Sequence, residues 1–198
     1  FRAHARRGAA DRPHERRKAI QEIARLEPDA AVPEAQRAKL IKQLNDLAAG
    51  SDPFDQQEAV RALGTWGDAS SVDILIALLD EDRTRMVRSE VYRALGQLKD
   101  PRAAAPVARK IGDFFDRKDA QNCIRALGPL AEDALIAVAP SNDADLCLAA
   151  LTLLGEVGTE KCLQTLRDAQ RSKNQVVRET AKVAVRNVRA RHPEGSKK

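Results

Sequence analysis

The chain has 198 residues, 43% of them apolar and 32% charged, with a formal net charge of +5. That apolar share suits one folded domain or one short repeat array and excludes a disordered chain. Aromatics make up only 3% of it, so the core must come from Leu, Val, Ile and Ala, and no run of 18 apolar residues is present to cross a membrane.

The positive charge belongs to the ends. Residues 1–18 carry seven Arg or Lys against two acids, and residues 161–198 carry eleven against three. The body between them holds sixteen basic and twenty-four acidic residues, a net of −8. A nucleic-acid reader would be expected to carry its positive charge along the body instead. The sequence begins at Phe1 and not at Met. The absence of a signal peptide is therefore uninformative about a longer parent chain.

In chain order, residues 1–14 are rich in Arg and Ala with no apolar face, and a flexible basic lead-in is expected. Residues 15–27 form a helix with Ala19, Ile20, Ile23 and Leu26 on one side, stopped by Pro28. A second helix runs from Pro33 or Glu34 to Ala49, with Leu40, Ile41, Leu44 and Leu47 at helical spacing and Gly50 as its cap. Together they make an N-terminal hairpin over 15–50.

A repeat then begins. Ala62-Leu63-Gly64, Ala94-Leu95-Gly96 and Ala126-Leu127-Gly128 follow one another at 32-residue steps, each preceded by an Arg, and Leu153-Leu154-Gly155 is a worn fourth copy. A period near 30 residues with helical spacing inside it predicts stacked helical hairpins, an all-α right-handed solenoid. Its units span 52–81, 82–117, 118–140 and 143–171, with a lone terminal helix over 174–190 and a flexible tail over 191–198.

In the first unit Asp52-Pro53 opens a helix ending at Gly64, and Ser71 caps a second helix. In the next, Asp82 or Thr84 caps a helix through Val87, Val91 and Leu95. Pro101 then opens one carrying Val107, Ile111 and Phe114 or Phe115. The third unit runs through Cys123 and Leu127 to Gly128-Pro129, then a shorter helix over 132–139 before Pro140. That shortening drops the step to Leu154 to 27 residues. Asp143 or Asp145 caps the first helix of the fourth unit, and Thr159 caps its second.

The segment from Met86-Val87-Arg88 through Arg93-Ala94-Leu95-Gly96 to Asp100-Pro101 resembles HEAT repeats of the short bacterial kind first described around phycobilin lyases. The resemblance covers about 52–190 and is strongest over 52–115. It implies a scaffold, adaptor or regulatory subunit; a minority of the family serves chromophore attachment or repair of damaged DNA. The family's Arg after Val maps to Arg88 and Arg178, while Gln56 takes that place in the first unit.

Leu63, Leu95, Leu127 and Leu154 are expected to be buried between hairpins. Gly64, Gly96 and Gly128 are expected to let the chain leave each helix at positive φ. Arg61, Arg93 and Arg125 stack at one repeat position, about 10 Å apart. They either brace neighbouring hairpins by pairing with acids such as Asp68 or Asp100, or offer guanidinium groups to phosphate or an acidic peptide. Trp66 either plugs the gap between helices or anchors a partner, and Tyr92 is expected to be half exposed and available for binding.

Chemistry is sparse. His4, His14 and His192 fall in the charged ends, and no HExxH, phosphate loop or nucleophile elbow occurs. Asp80-Glu81-Asp82 reads as capping carboxylates. Asp113, Asp116 and Asp119 lack the glycine and terminal glutamate of a calcium loop. Cys123, Cys147 and Cys162 read as unpaired core thiols in a reducing, cytoplasmic setting. The expectation is a non-catalytic scaffold without cofactor or metal that holds a protein or peptide against its second helices. The alternative is a nucleic-acid binder using Arg61, Arg93, Arg125 and the basic termini.

Overall fold

A computed structural model describes residues 13–26, 32–80 and 85–193. The lead-in over 1–12, the stop at Pro28, the Asp82 or Thr84 cap, His4 and the tail beyond Pro193 lie outside those residues. Among the described residues every element is helical. The α-helices are α1 Pro13–Arg25, α2 Glu34–Ala48, α3 Pro53–Trp66, α4 Ala69–Asp80, α5 Arg88–Leu98 and α6 Ala104–Ala108. They continue as α7 Arg117–Leu127, α8 Glu132–Val138, α9 Ala144–Val157, α10 Leu163–Ala169 and α11 Gln175–Arg191.

Short 3-10 turns lead into α6, α8 and α10. The chain forms two compact units, 1–98 and 99–198. In the first, α1, α3 and α5 lie side by side, while α2 and α4 pack as a second layer behind them. In the second, α7, α9 and α11 form the first layer, backed by α6, α8 and α10. Each unit is therefore an all-α solenoid segment of stacked hairpins.

The N-caps of the first helices share one repeat position. Asp52, Asp143 and Asn174 each accept hydrogen bonds from two amides of the turn that follows, satisfying donors that a helix start leaves open. Eleven residues after each cap comes the position of Leu63, Leu154 and Val185. Leu63, Leu95, Leu127 and Leu154 are all buried. The second helix of the first repeat is capped by Asp68, whose carboxylate accepts from the Ser70 amide at 2.8 Å, and not by Ser71, which is buried.

The glycines act differently from the expectation. Among the described glycines only Gly128 has positive φ, at 61°; Gly64, Gly96 and Gly155 lie inside α3, α5 and α9. Gly64 and Gly155 let helices approach closely. A Cβ on Gly64 would sit 3.2 Å from the Ala94 Cα, and one on Gly155 would sit 2.8 Å from the Ala184 Cα. Because backbone cannot yield as a flexible side chain does, Gly155→Ala is expected to cost about 1–3 kcal/mol through overpacking of α9 on α11. A urea melt reads the effect, and an unchanged midpoint would mean the two helices have room to spare.

The helix expected through Val107, Ile111 and the phenylalanines stops at Ala108. Ile111 is still buried, but Phe114 and Phe115 stand exposed on the turn before α7. The reason is local. Asp113 accepts hydrogen bonds from the amides of Phe115 and Asp116, which fixes a tight turn in place of another helical turn.

Candidate functional site

The repeat arginines are committed to carboxylates. Arg61 on α3 donates to Glu58 of its own helix at 3.3 Å and to Glu90 on α5 at 2.9 Å. Arg125 on α7 grips Glu156 on α9 with two bonds, 2.7 and 3.3 Å. Arg93 turns onto its own helix, to Glu90 at 2.7 Å and Gln97 at 3.4 Å. Asp68 and Asp100 are not their partners. Both acids sit at second-helix starts and are spent there, Asp68 on Ser70 and Asp100 on Arg102.

Glu90 receives two guanidinium groups. Burial opposes its ionisation, but the bonds from Arg61 and Arg93 outweigh that and hold the carboxyl below its ordinary 4.5. Asp52, Asp68 and Asp100 are lowered too, chiefly by the Asp55 amide, the Ser70 hydroxyl and the Arg102 guanidinium respectively. A carboxyl depressed on folding stabilises the fold above its unfolded value and stops doing so as pH falls through the folded one. The stability difference between wild type and Glu90→Gln is therefore expected to be flat from neutral pH to about 5 and to shrink below about 4.5. Urea midpoints against pH would show this, and a difference independent of pH would contradict it.

Neither large aromatic offers itself to a partner. Trp66 is 5% exposed and its indole N–H donates to the Ile23 carbonyl at 2.9 Å, which ties α3 to α1. Tyr92, expected half exposed, is 1% exposed.

The residue that follows Val in the repeat has a capping role. Arg178 donates to the carbonyls of Ser172 and Lys173, both at 2.9 Å, and Gln56 to those of Ala48 and Gly50. Gln121 on α7, one position later in the repeat, reaches the Ile111 carbonyl at 3.0 Å, just past the end of α6. In each case a first helix satisfies carbonyls where the preceding second helix ends. Arg191, expected in the tail, belongs to α11 and caps α9 through Gly155 and Gly158.

Glu132 escaped the sequence reading. It holds the same repeat position as Asp68, Asp100 and Thr159, yet its buried carboxylate turns onto the next hairpin. It accepts from the Thr159 amide at 2.8 Å, the Thr159 hydroxyl and the Cys162 amide at 3.2 Å. Aligning the hairpins on their leucines would have exposed this position.

A concavity of ligand size with both apolar and charged groups lies in the second unit. The short α8 ends before Pro140, leaving the last turn of α10 uncovered and opening a groove of about 690 Å³. That volume lies within the range of ligand sites, about 300–1,000 Å³. Ile136, Ala139, Cys147 and Val177 give it an apolar floor, with Thr165 and Ala169 from α10 along one wall. On its rim Asp168 is held by Gln164 and Arg171, whereas the Lys173 ammonium has no partner among the described residues.

Catalytic chemistry finds little here. Burial pushes the thiols of Cys123 and Cys162 up to about 12 and raises that of Cys147, so all three stay protonated and behave as small apolar side chains. Among the described residues no group of three or more His, Cys, Asp or Glu could hold a metal ion. No helix among them is long and apolar enough to cross a membrane.

Residues 37–128 match the family model described as HEAT repeats. With the stacked hairpins above, that segment has a HEAT-like repeat fold. The match ends at Gly128, where the shortened α8 breaks the 32-residue period. Among solved structures a designed armadillo repeat protein is similar, with 16% identity, a TM-score of 0.47, and 90% of this chain and 95% of that one covered. No curated protein matches the sequence.

Proposed function

We propose that the chain is a non-catalytic protein-interaction scaffold that holds an extended peptide in the groove between α8 and α10. One contrast supports this reading. The cations of the repeat positions are neutralised by Glu58, Glu90 and Glu156, while the groove joins an apolar floor to an unpaired Lys173. A peptide with small apolar side chains and one carboxylate fits that chemistry. The repeats themselves we take to be of the short bacterial, phycobilin-lyase kind, on the strength of the Val-Arg and Ala-Leu-Gly pattern. The same neutralisation weighs against a phosphate track along Arg61, Arg93 and Arg125, since a guanidinium already paired gives up that bond before meeting another anion.

Peptides selected from a random displayed library on the full chain test the proposal. They are expected to be acidic with small apolar residues. Ala169→Arg, which fills the groove, and Lys173→Glu should each weaken them about tenfold, the loss of roughly 1.4 kcal/mol. Selected peptides that bind both variants as tightly as wild type would overturn it.

A further inference from the structure

Phenylalanine is placed unusually in this chain. Of its four phenylalanines, Phe1 lies outside the described residues and the other three are exposed, while Trp66 and Tyr92 are buried. Phe114 and Phe115 stand out most, at 82% and 75% exposed. They form an edge-to-face pair with centroids 5.3 Å apart. Large exposed apolar side chains side by side mark interaction sites more often than chance surface.

The turn that carries them is built to hold them out. Asp113 accepts from the amides of Phe115 and Asp116 at 2.9 and 3.2 Å, and the Arg117 amide donates to the Asp113 carbonyl at 2.9 Å. On its inner side the turn lies against α9, where a Cβ on Gly112 would meet the Leu146 Cα at 2.7 Å. Residues 109–119 contain four cations and three acids. Asp116 is buried, Asp119 is half-buried, and Asp113 is exposed with its carboxylate taken up by backbone amides. Arg117 pairs with Asp145 at 3.2 Å. Arg109 and Lys118 point outward, exposed, with no partner among the described residues.

We propose that this turn is a peripheral anchor for an anionic lipid surface. The two rings enter the interface, and Arg109 and Lys118 meet lipid phosphates and carboxylates. Apolar side chains buried at the headgroup boundary together with nearby cations make a reversible attachment. Two phenylalanine rings offer about 300–500 Å² at most, short of the roughly 800 Å² per partner of a stable protein interface. A bilayer, unlike a protein, needs no complementary pocket. This inference is independent of the groove.

Co-sedimentation of the full chain with phosphatidylcholine vesicles, with and without phosphatidylserine, is the test. Binding is expected to require phosphatidylserine and to fall as salt rises. The double variant Phe114→Ser/Phe115→Ser should bind about tenfold more weakly, and Arg109→Gln/Lys118→Gln several-fold more weakly. Urea melts should find both variants as stable as wild type, since the changed side chains are exposed. The anchor is overturned if the serine-containing vesicles bind nothing, or bind the Phe114→Ser/Phe115→Ser chain as well as wild type. It is equally overturned if wild type is a dimer that this variant dissolves, because the rings would then be covered by a second copy.

Discussion

Leu95→Ala is expected to lower stability by about 2–5 kcal/mol, the range for a fully buried leucine cut back to leave a cavity. Leu95 lies on α5, which packs against both α3 and α4, and its side chain has no solvent exposure. Leu26→Ala is expected to cost less than about 1 kcal/mol, because Leu26, just beyond α1, is 59% exposed and little apolar area returns to water. Urea melts of the two variants make the comparison. Equal losses, or a larger one at Leu26, would contradict the burial of Leu95 where α5 packs against α3 and α4.

Removing the Glu132 carboxylate should be the costliest polar change. Glu132→Ala strands the amides of Thr159 and Cys162 and the Thr159 hydroxyl. A hydrogen bond to a charged group contributes about 1.5–3 kcal/mol, and a buried donor left alone costs a similar amount. A loss of about 2–4 kcal/mol is therefore expected. Amide hydrogen exchange at Thr159 and Cys162 should quicken more than at distant helices. Glu132→Gln keeps one acceptor oxygen and should lose less. If Glu132→Ala melts with wild type, the carboxylate does not join the two hairpins.

Much of the fold was legible because the repeat marks its helices twice, by the buried leucine and by the N-cap eleven residues before it. Asp52, Asp143 and Thr159 were readable as caps because a short polar side chain next to a new apolar face has few other uses. Gly64 was misread for a physical reason. A glycine near a helix end serves equally for a positive φ or for close helix contact, and only the neighbouring helix decides between them. Phe114 and Phe115 follow Val107 and Ile111 at helical spacing, yet the carboxylate of Asp113 closes a turn that periodicity does not reveal. Of the candidate site residues, Arg61, Arg93 and Arg125 were visible as a row, but their partners Glu58, Glu90 and Glu156 were not. The groove was hidden too, since it arises from α8 being too short to cover α10.

Arg61 and Arg125 join neighbouring hairpins through Glu90 and Glu156, Arg93 shares Glu90 with Arg61, and ligand binding is left to the groove. Exposed ion pairs contribute only about 0–1 kcal/mol each, so the triple variant Arg61→Gln/Arg93→Gln/Arg125→Gln is needed to make their sum visible. Its urea midpoint should be measured beside titrations of single-stranded DNA and of a groove-selected peptide at two salt concentrations. The expected result is an earlier unfolding transition, by about 1–2 kcal/mol, with peptide affinity unchanged. Micromolar, salt-sensitive DNA binding by wild type that vanishes in the triple variant, with stability untouched, would contradict it.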